Sequence, residues 1–152
     1  MLKPTKILVP TDFSEYSDKA LKQALDIAIQ YKAKVYILHV VSEKVHYSLW
    51  DDYPGNSSNL KDIKIIQKQM MNIAKGNLVR QLDKFQTSKD VEVVQKVIDG
   101  IPFQEILREQ EKLNIDLIVI ASLGRTGIAK FLIGGVARNV LKGAKCPVLL
   151  TK

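Results

Sequence analysis

The sequence has a single cysteine, Cys146, and two histidines, His39 and His46, in 152 residues. No intramolecular disulfide can form, and no CxxC or Cys/His cluster offers a zinc or other metal site, which points to a reducing compartment. No apolar run approaches the roughly eighteen residues that span a bilayer. The opening Met1-Leu2-Lys3-Pro4-Thr5-Lys6 lacks the charged-then-apolar design of a secretory signal. A cytoplasmic protein without membrane insertion is expected. The patterns GxxxxGK[ST], GxGxxG and GxSxG are all missing, and so is an SGGxDS-like pyrophosphate loop. Those routes to phosphate binding or nucleophilic catalysis are excluded, and with no general base in view the chain is not expected to be an enzyme beyond very slow hydrolysis. Acidic residues also run out: after Asp116 there are none, while Arg125, Lys130, Arg138, Lys142, Lys145 and Lys152 are basic. That segment either suits an anion or is a solvated basic face. The net charge of +7 has the sign for nucleic acid. Yet no basic run with interleaved aromatics, RNP-like stretch or helix-turn-helix pattern accompanies it, so nucleic acid is not an expected partner.

What is present is an ordinary soluble composition, 46% apolar and 26% charged. A chain of this length can bury roughly 70% of its unfolded surface, so residues 1–152 are expected to form one domain. Apolar runs at Lys6–Pro10, Lys34–Val41, Val91–Ile98, Leu117–Ala121 and Pro147–Thr151 read as five strands. Four amphipathic stretches separate them. The first follows Ser14 as N-cap, with Leu21, Ala24, Leu25 and Ala28 inward. The second follows Gly55–Asn59, with Ile63, Ile66, Met70, Ile73, Leu78, Leu82 and Phe85 as its expected inner stripe. The third opens at Ile101-Pro102 and buries Ile106, Leu107 and Leu113; the fourth carries Leu132, Ile133, Val136, Ala137, Val140 and Leu141 and ends near Gly143. Strands apolar on both faces and alternating with helices predict an α/β fold: a single doubly wound domain with a parallel sheet covered on both sides. Pro147 removes a ladder donor, which places the last strand at an edge. Val148, Leu149 and Leu150 then form an apolar edge suited to a second copy, so a homodimer is expected. The long connection of about Ser42 to Asn59, with His46, Tyr47, Trp50, Asp51, Asp52 and Tyr53, either covers a pocket or packs on the body.

Ligands of open parallel sheets bind beyond the carboxyl ends of the strands. Pro10-Thr11-Asp12-Phe13-Ser14 follows the first strand, and Ala121-Ser122-Leu123-Gly124-Arg125-Thr126-Gly127 follows the fourth, leading to Gly134-Gly135. Four of the eight glycines fall in that second region. They are either turn and cap glycines or a bare backbone floor where phosphate can meet helix amides. Asp12 is either a cap of the first helix or a ligand contact. His39, inside a strand run, reads as a satisfied core histidine. Cys146 reads as a small buried hydrophobe, with a lowered thiol pKa as the alternative.

Taken together, KILVPTDFSEYSDKAL, VYILHVV, IDGIPFQEIL and DLIVIASLGRTGIAKFLIGGVARNVLKGAKCPVLL resemble the universal stress protein family over nearly the whole chain. The resemblance implies a five-stranded parallel domain of sheet order 3-2-1-4-5, a homodimer, and ATP held through a G-2x-G-9x-G-[ST] pattern. Gly124 and Gly134 have nine residues between them as that pattern requires, but Ala121 replaces its first glycine and Gly135 its Ser/Thr. The methyl of Ala121 would restrict the backbone if φ must be positive. Gly135 removes a hydroxyl from a phosphate oxygen, worth about 1.5 to 3 kcal/mol. By the same resemblance Asp12 meets the ribose or adenine, Val41 presents backbone to adenine, and Mg²⁺ comes only with the phosphates. The implied site comprises Pro10, Thr11, Asp12, Val41, Ile120, Ala121, Leu123, Gly124, Arg125, Gly127, Gly134, Gly135, Val136 and Ala137. A stress-response protein that signals by binding an adenine nucleotide is the first expectation. A nucleotide-free interaction module with the same fold is the second.

Overall fold

The computed structural model describes residues 1–42, 60–124 and 133–152. Its elements are β1 (Lys6–Pro10), α1 (Glu15–Tyr31), β2 (Lys34–Ser42), α2 (Leu60–Asp83), a 3-10 turn (Gln86–Asp90), β3 (Val93–Gly100), α3 (Pro102–Leu113), β4 (Leu117–Ala121), α4 (Gly135–Gly143) and β5 (Val148–Thr151). All pairings are parallel and the order is β3-β2-β1-β4-β5. The doubly wound α/β fold expected from the alternation of apolar runs is the fold observed, and β5 is an edge strand. No helix among the described residues is long and apolar enough to cross a membrane.

Local chemistry explains the boundaries. Ser14 caps α1 by accepting from Ser17 N at 3.2 Å, and Pro102, which has no N–H to leave unpaired, opens α3. Lys32 and Asn114 close α1 and α3 in the left-handed region, the latter at φ 53°, a conformation asparagine tolerates well. One sheet face packs Ile7, Val9, Val35, Ile37, Leu117 and Val119 against α1 and α2; the other packs Leu8, Leu38, Ile118 and Ile120 against α3 and α4. The core is therefore two apolar layers, one on each side of β1 and β4.

The inner stripe of α2 is as expected at Leu78 and Leu82, which are buried, and differs elsewhere. Ala74 and Gln81 are buried beside them, whereas Ile66 and Ile73 face solvent, Ile73 at 62% exposure. Successive helix residues stand about 100° apart, so once Ala74 takes the sheet-facing line Ile73 is turned well away from it. Three further differences are smaller. β3 starts and ends two residues later than the apolar run; Leu107 and Leu113 are half-buried; and Ile133 precedes α4, whose Val136 and Leu141 are exposed. The aromatics of the long connection and Leu132 lie outside the described residues.

Candidate functional site

β1 and β4 are neighbours, but the chain leaves β1 for α1 on one face and approaches α4 on the other after β4. A crevice must open where the connections diverge. It is present as a cleft of about 300 Å³ beyond the strand ends, at the small end of ligand sites.

On the β1 side, Asp12 Oδ1 accepts from Ser14 N at 3.0 Å, so Asp12 closes a turn just before the Ser14 cap and is not the cap itself. Its Oδ2 lies 2.7 Å from the point a Cβ on Gly124 would occupy. Gly124 is bare so that this carboxylate can lie against the β4 loop. Phe13 takes φ 66°, an uncommon conformation for a bulky residue, and its ring rests 4.4 Å from that of His39. His39 Nδ1 lies 2.8 Å from Thr11 O; a carbonyl can only accept, so Nδ1 carries the proton. His39 is satisfied, as read from the sequence, but it also lines the cleft, which that reading missed.

Opposite stands the start of α4. Gly134 is its N-cap and offers no side-chain acceptor, and its own N–H donates to Ser122 O at 2.6 Å. The amides of the first helical residues have no partner within a helix. Gly135, Val136 and Ala137 all line the cleft, and this end of α4 carries the positive pole of its dipole. Gly135 has open space where a side chain would go, while a Cβ on Gly134 would sit 3.3 Å from Ser122 O. Ala121 ends β4 opposite Thr151, and outside glycine only Phe13, Lys32 and Asn114 have positive φ among the described residues. The strain expected of alanine there is absent. Leu38, Val40, Pro102, Ile106 and Ile120 complete an apolar wall. The cleft thus joins an apolar slot, a carboxylate and an uncapped helix N-terminus, a set that fits a base, a sugar hydroxyl and a phosphate respectively.

Of the residues expected in the site, Pro10, Thr11, Asp12, Ile120, Ala121, Leu123, Gly124, Gly134, Gly135, Val136 and Ala137 line the cleft. Val41 is not brought to it. It is buried opposite Asp99 of β3, and Leu38, His39 and Val40 form the β2 wall instead. Arg125 and Gly127 lie outside the described residues. Sequence reading also missed Ser17, Pro102, Ile106 and Ser122. Pro102 and Ile106 come from a helix far away in sequence, and only the strand order brings them near. No group of three or more His, Cys, Asp or Glu side chains among the described residues could hold a metal ion. Burial pushes the Cys146 thiol above its ordinary pKa and the Asp116 carboxylate adds to the effect, which removes the activated-thiol alternative.

The universal stress protein family model matches residues 4–152. The chain belongs to this family. It is 33% identical to the universal stress protein MJ0531 of Methanocaldococcus jannaschii over 97% of this chain and 81% of that one. The solved structure of MJ0577, from the same organism, superposes with a TM-score of 0.83 at 28% identity, covering 99% of this chain and 97% of that one. Two universal stress proteins with the same fold, each 20% identical to this chain, were solved in complex with cAMP (TM-score 0.65, covering 98% of this chain and 97% of that one) and, from Archaeoglobus fulgidus, with dAMP (TM-score 0.57, covering 99% and 100%).

Proposed function

We propose that this universal stress protein is a cytoplasmic homodimer whose cleft binds an adenine nucleotide, ATP accompanied by Mg²⁺, in a stress-response role exerted through binding and not turnover. The observation that carries this reading is the placement of Asp12 and Gly124 across from the uncapped start of α4, with an apolar wall beside them. A carboxylate beside a triphosphate is repulsive, so Asp12 belongs at the sugar end and the amides of Gly135, Val136 and Ala137 at the phosphate end. The cAMP and dAMP complexes of proteins with this fold support the choice of adenine. Titration calorimetry with ATP and Mg²⁺ on folded protein is expected to give saturable heat at or below about millimolar nucleotide. Phosphate release in the same sample should stay below about one per second, the slow end of typical enzymes. Heat absent at millimolar ATP would favour the second reading, a nucleotide-free interaction module, which the missing hydroxyl at Gly135 supports.

The dimer rests on β5. Its outer edge has no strand partner among the described residues, and Leu149 is 37% exposed. An apolar edge strand is a template for a second copy. Leu149→Arg is expected to shift the protein from dimer to monomer in sedimentation velocity at micromolar concentration. An unchanged dimer would place the interface elsewhere.

A further inference from the structure

We infer that Gln81, a residue of α2 outside the cleft, is the positioning residue that sets the Thr11–Ser14 turn and thereby tunes the nucleotide affinity of the cleft from behind. The inference rests on the nucleotide reading above for its effect on affinity, but not for its effect on the turn.

α2 presents Ala74, Leu78 and Leu82 to the core, and Gln81 is buried among them at 3% exposure. An apolar residue there would extend that surface, whereas an amide must have its donors and acceptor matched. They are matched across the helix gap. The Gln81 Nε2 group donates to Asp18 Oδ1 at 2.7 Å, and Lys84 Nζ bonds the other oxygen of Asp18 at 2.8 Å. Because an ionised carboxylate only accepts, Asp18 fixes which way the amide faces, leaving Gln81 Oε1 toward Thr11 Oγ1 at 2.9 Å.

The Thr11 hydroxyl has one proton. It accepts from Phe13 N at 3.0 Å, so its proton must point the other way, toward Gln81 Oε1 or Ser17 Oγ. The Ser17 proton goes to Ser14 O at 2.8 Å. Thr11 O receives His39 Nδ1–H, and Thr11 N donates to Leu38 O at 2.8 Å. Every polar group of Thr11 is therefore engaged, and the hydroxyl holds the amide of Phe13, the residue with positive φ. Asp12 sits between these two anchors, with its carboxylate fitted against Gly124. Without Gln81 Oε1 the Thr11 proton has only Ser17 Oγ to turn to, so the Thr11 side chain loses its tie to α2 and the turn carrying Phe13 and Asp12 is held from α1 alone.

Gln81→Met, of similar length and without the amide, is the test, with Gln81→Glu combined with Asp18→Asn as the conservative variant, which exchanges amide and carboxylate across the gap and keeps an oxygen facing Thr11. Gln81→Met is expected to weaken ATP binding about tenfold and to speed hydrogen exchange of the Phe13 and Ser14 amides by a similar factor. The Gln81→Glu, Asp18→Asn pair should stay within about threefold of wild type on both readouts. In a Thr11→Val background the Gln81→Met effect on affinity should vanish, because the two side chains act as one unit. An equal loss in both backgrounds, or unchanged exchange at Phe13 and Ser14, would overturn the inference. If the wild type binds no ATP, the nucleotide reading fails while the exchange readout still decides the role of Gln81. If Gln81→Met does not fold, Gln81→Ala decides it: faster exchange at Phe13 and Ser14 supports the inference, and exchange as in the wild type overturns it.

Discussion

Gly124→Asp is expected to abolish adenine-nucleotide binding, with a loss of at least about a hundredfold, while leaving the fold and the dimer intact. The Cβ it introduces would fall 2.7 Å from Asp12 Oδ2, closer than real contacts permit, so the Asp12 carboxylate must move. The added charge compounds the clash. Two carboxylates about 4 Å apart repel by roughly 4 kcal/mol at an effective dielectric of 20, and both would face the phosphates. The backbone at Gly124 is not in the left-handed region, so the side chain itself, and not strain, produces the effect. Gly124→Ala separates the two contributions: it displaces Asp12 without adding charge and should cost about tenfold, the worth of one hydrogen bond to a charged group. Calorimetry with ATP and Mg²⁺ reads both variants. Binding by Gly124→Asp within threefold of wild type would mean that the nucleotide sits elsewhere.

The opposite change is expected at Gly135. Gly135→Ser should tighten ATP binding about tenfold to a hundredfold, the equivalent of the roughly 1.5 to 3 kcal/mol of a hydroxyl donating to a charged oxygen. Nothing lies within 4 Å of the position its Cβ would take, so the hydroxyl arrives without displacing any neighbour. The residue opens α4, beside the amides that would hold the phosphates. Gly135→Ala serves as the control, since it stiffens the helix start equally well but has no hydroxyl. Equal affinities for the serine and alanine variants would remove the phosphates from this helix end. A gain confined to serine would show that the site retains its geometry and has lost a single contact.

These expectations divide between what the chain spells out locally and what it does not. The strands at Lys6–Pro10 and Leu117–Ala121 have the ends expected from their apolar runs, because a short run apolar on both faces has no other use in a soluble domain. Ser14 and Pro102 marked the helix starts correctly, since capping chemistry acts within three residues. In α2 Leu78 and Leu82 are inward as expected, but Ile66 and Ile73 are not, because a seven-residue spacing fits an amphipathic helix whichever side the sheet lies on. The side was decided by Ala74, Leu78 and Leu82 meeting the sheet.

The cleft divides the same way. Asp12, Gly124, Gly134 and Gly135 are legible because each stands at the end of a strand or the start of a helix, where ligands meet an open sheet. His39, Pro102, Ile106 and the supporting Gln81 are not, for their roles come from neighbours up to seventy residues away in sequence, as Thr11 and Gln81 are. The strand–helix alternation, the parallel sheet and the glycines at the strand ends are legible in the chain because each follows from spacing along one segment. The unstrained backbone at Ala121, the rest of Asp12 against Gly124, and Val40 in place of Val41 along the cleft emerge only on folding. Those are outcomes of packing between segments, and no local pattern encodes the distance between two side chains that meet only after the sheet has formed.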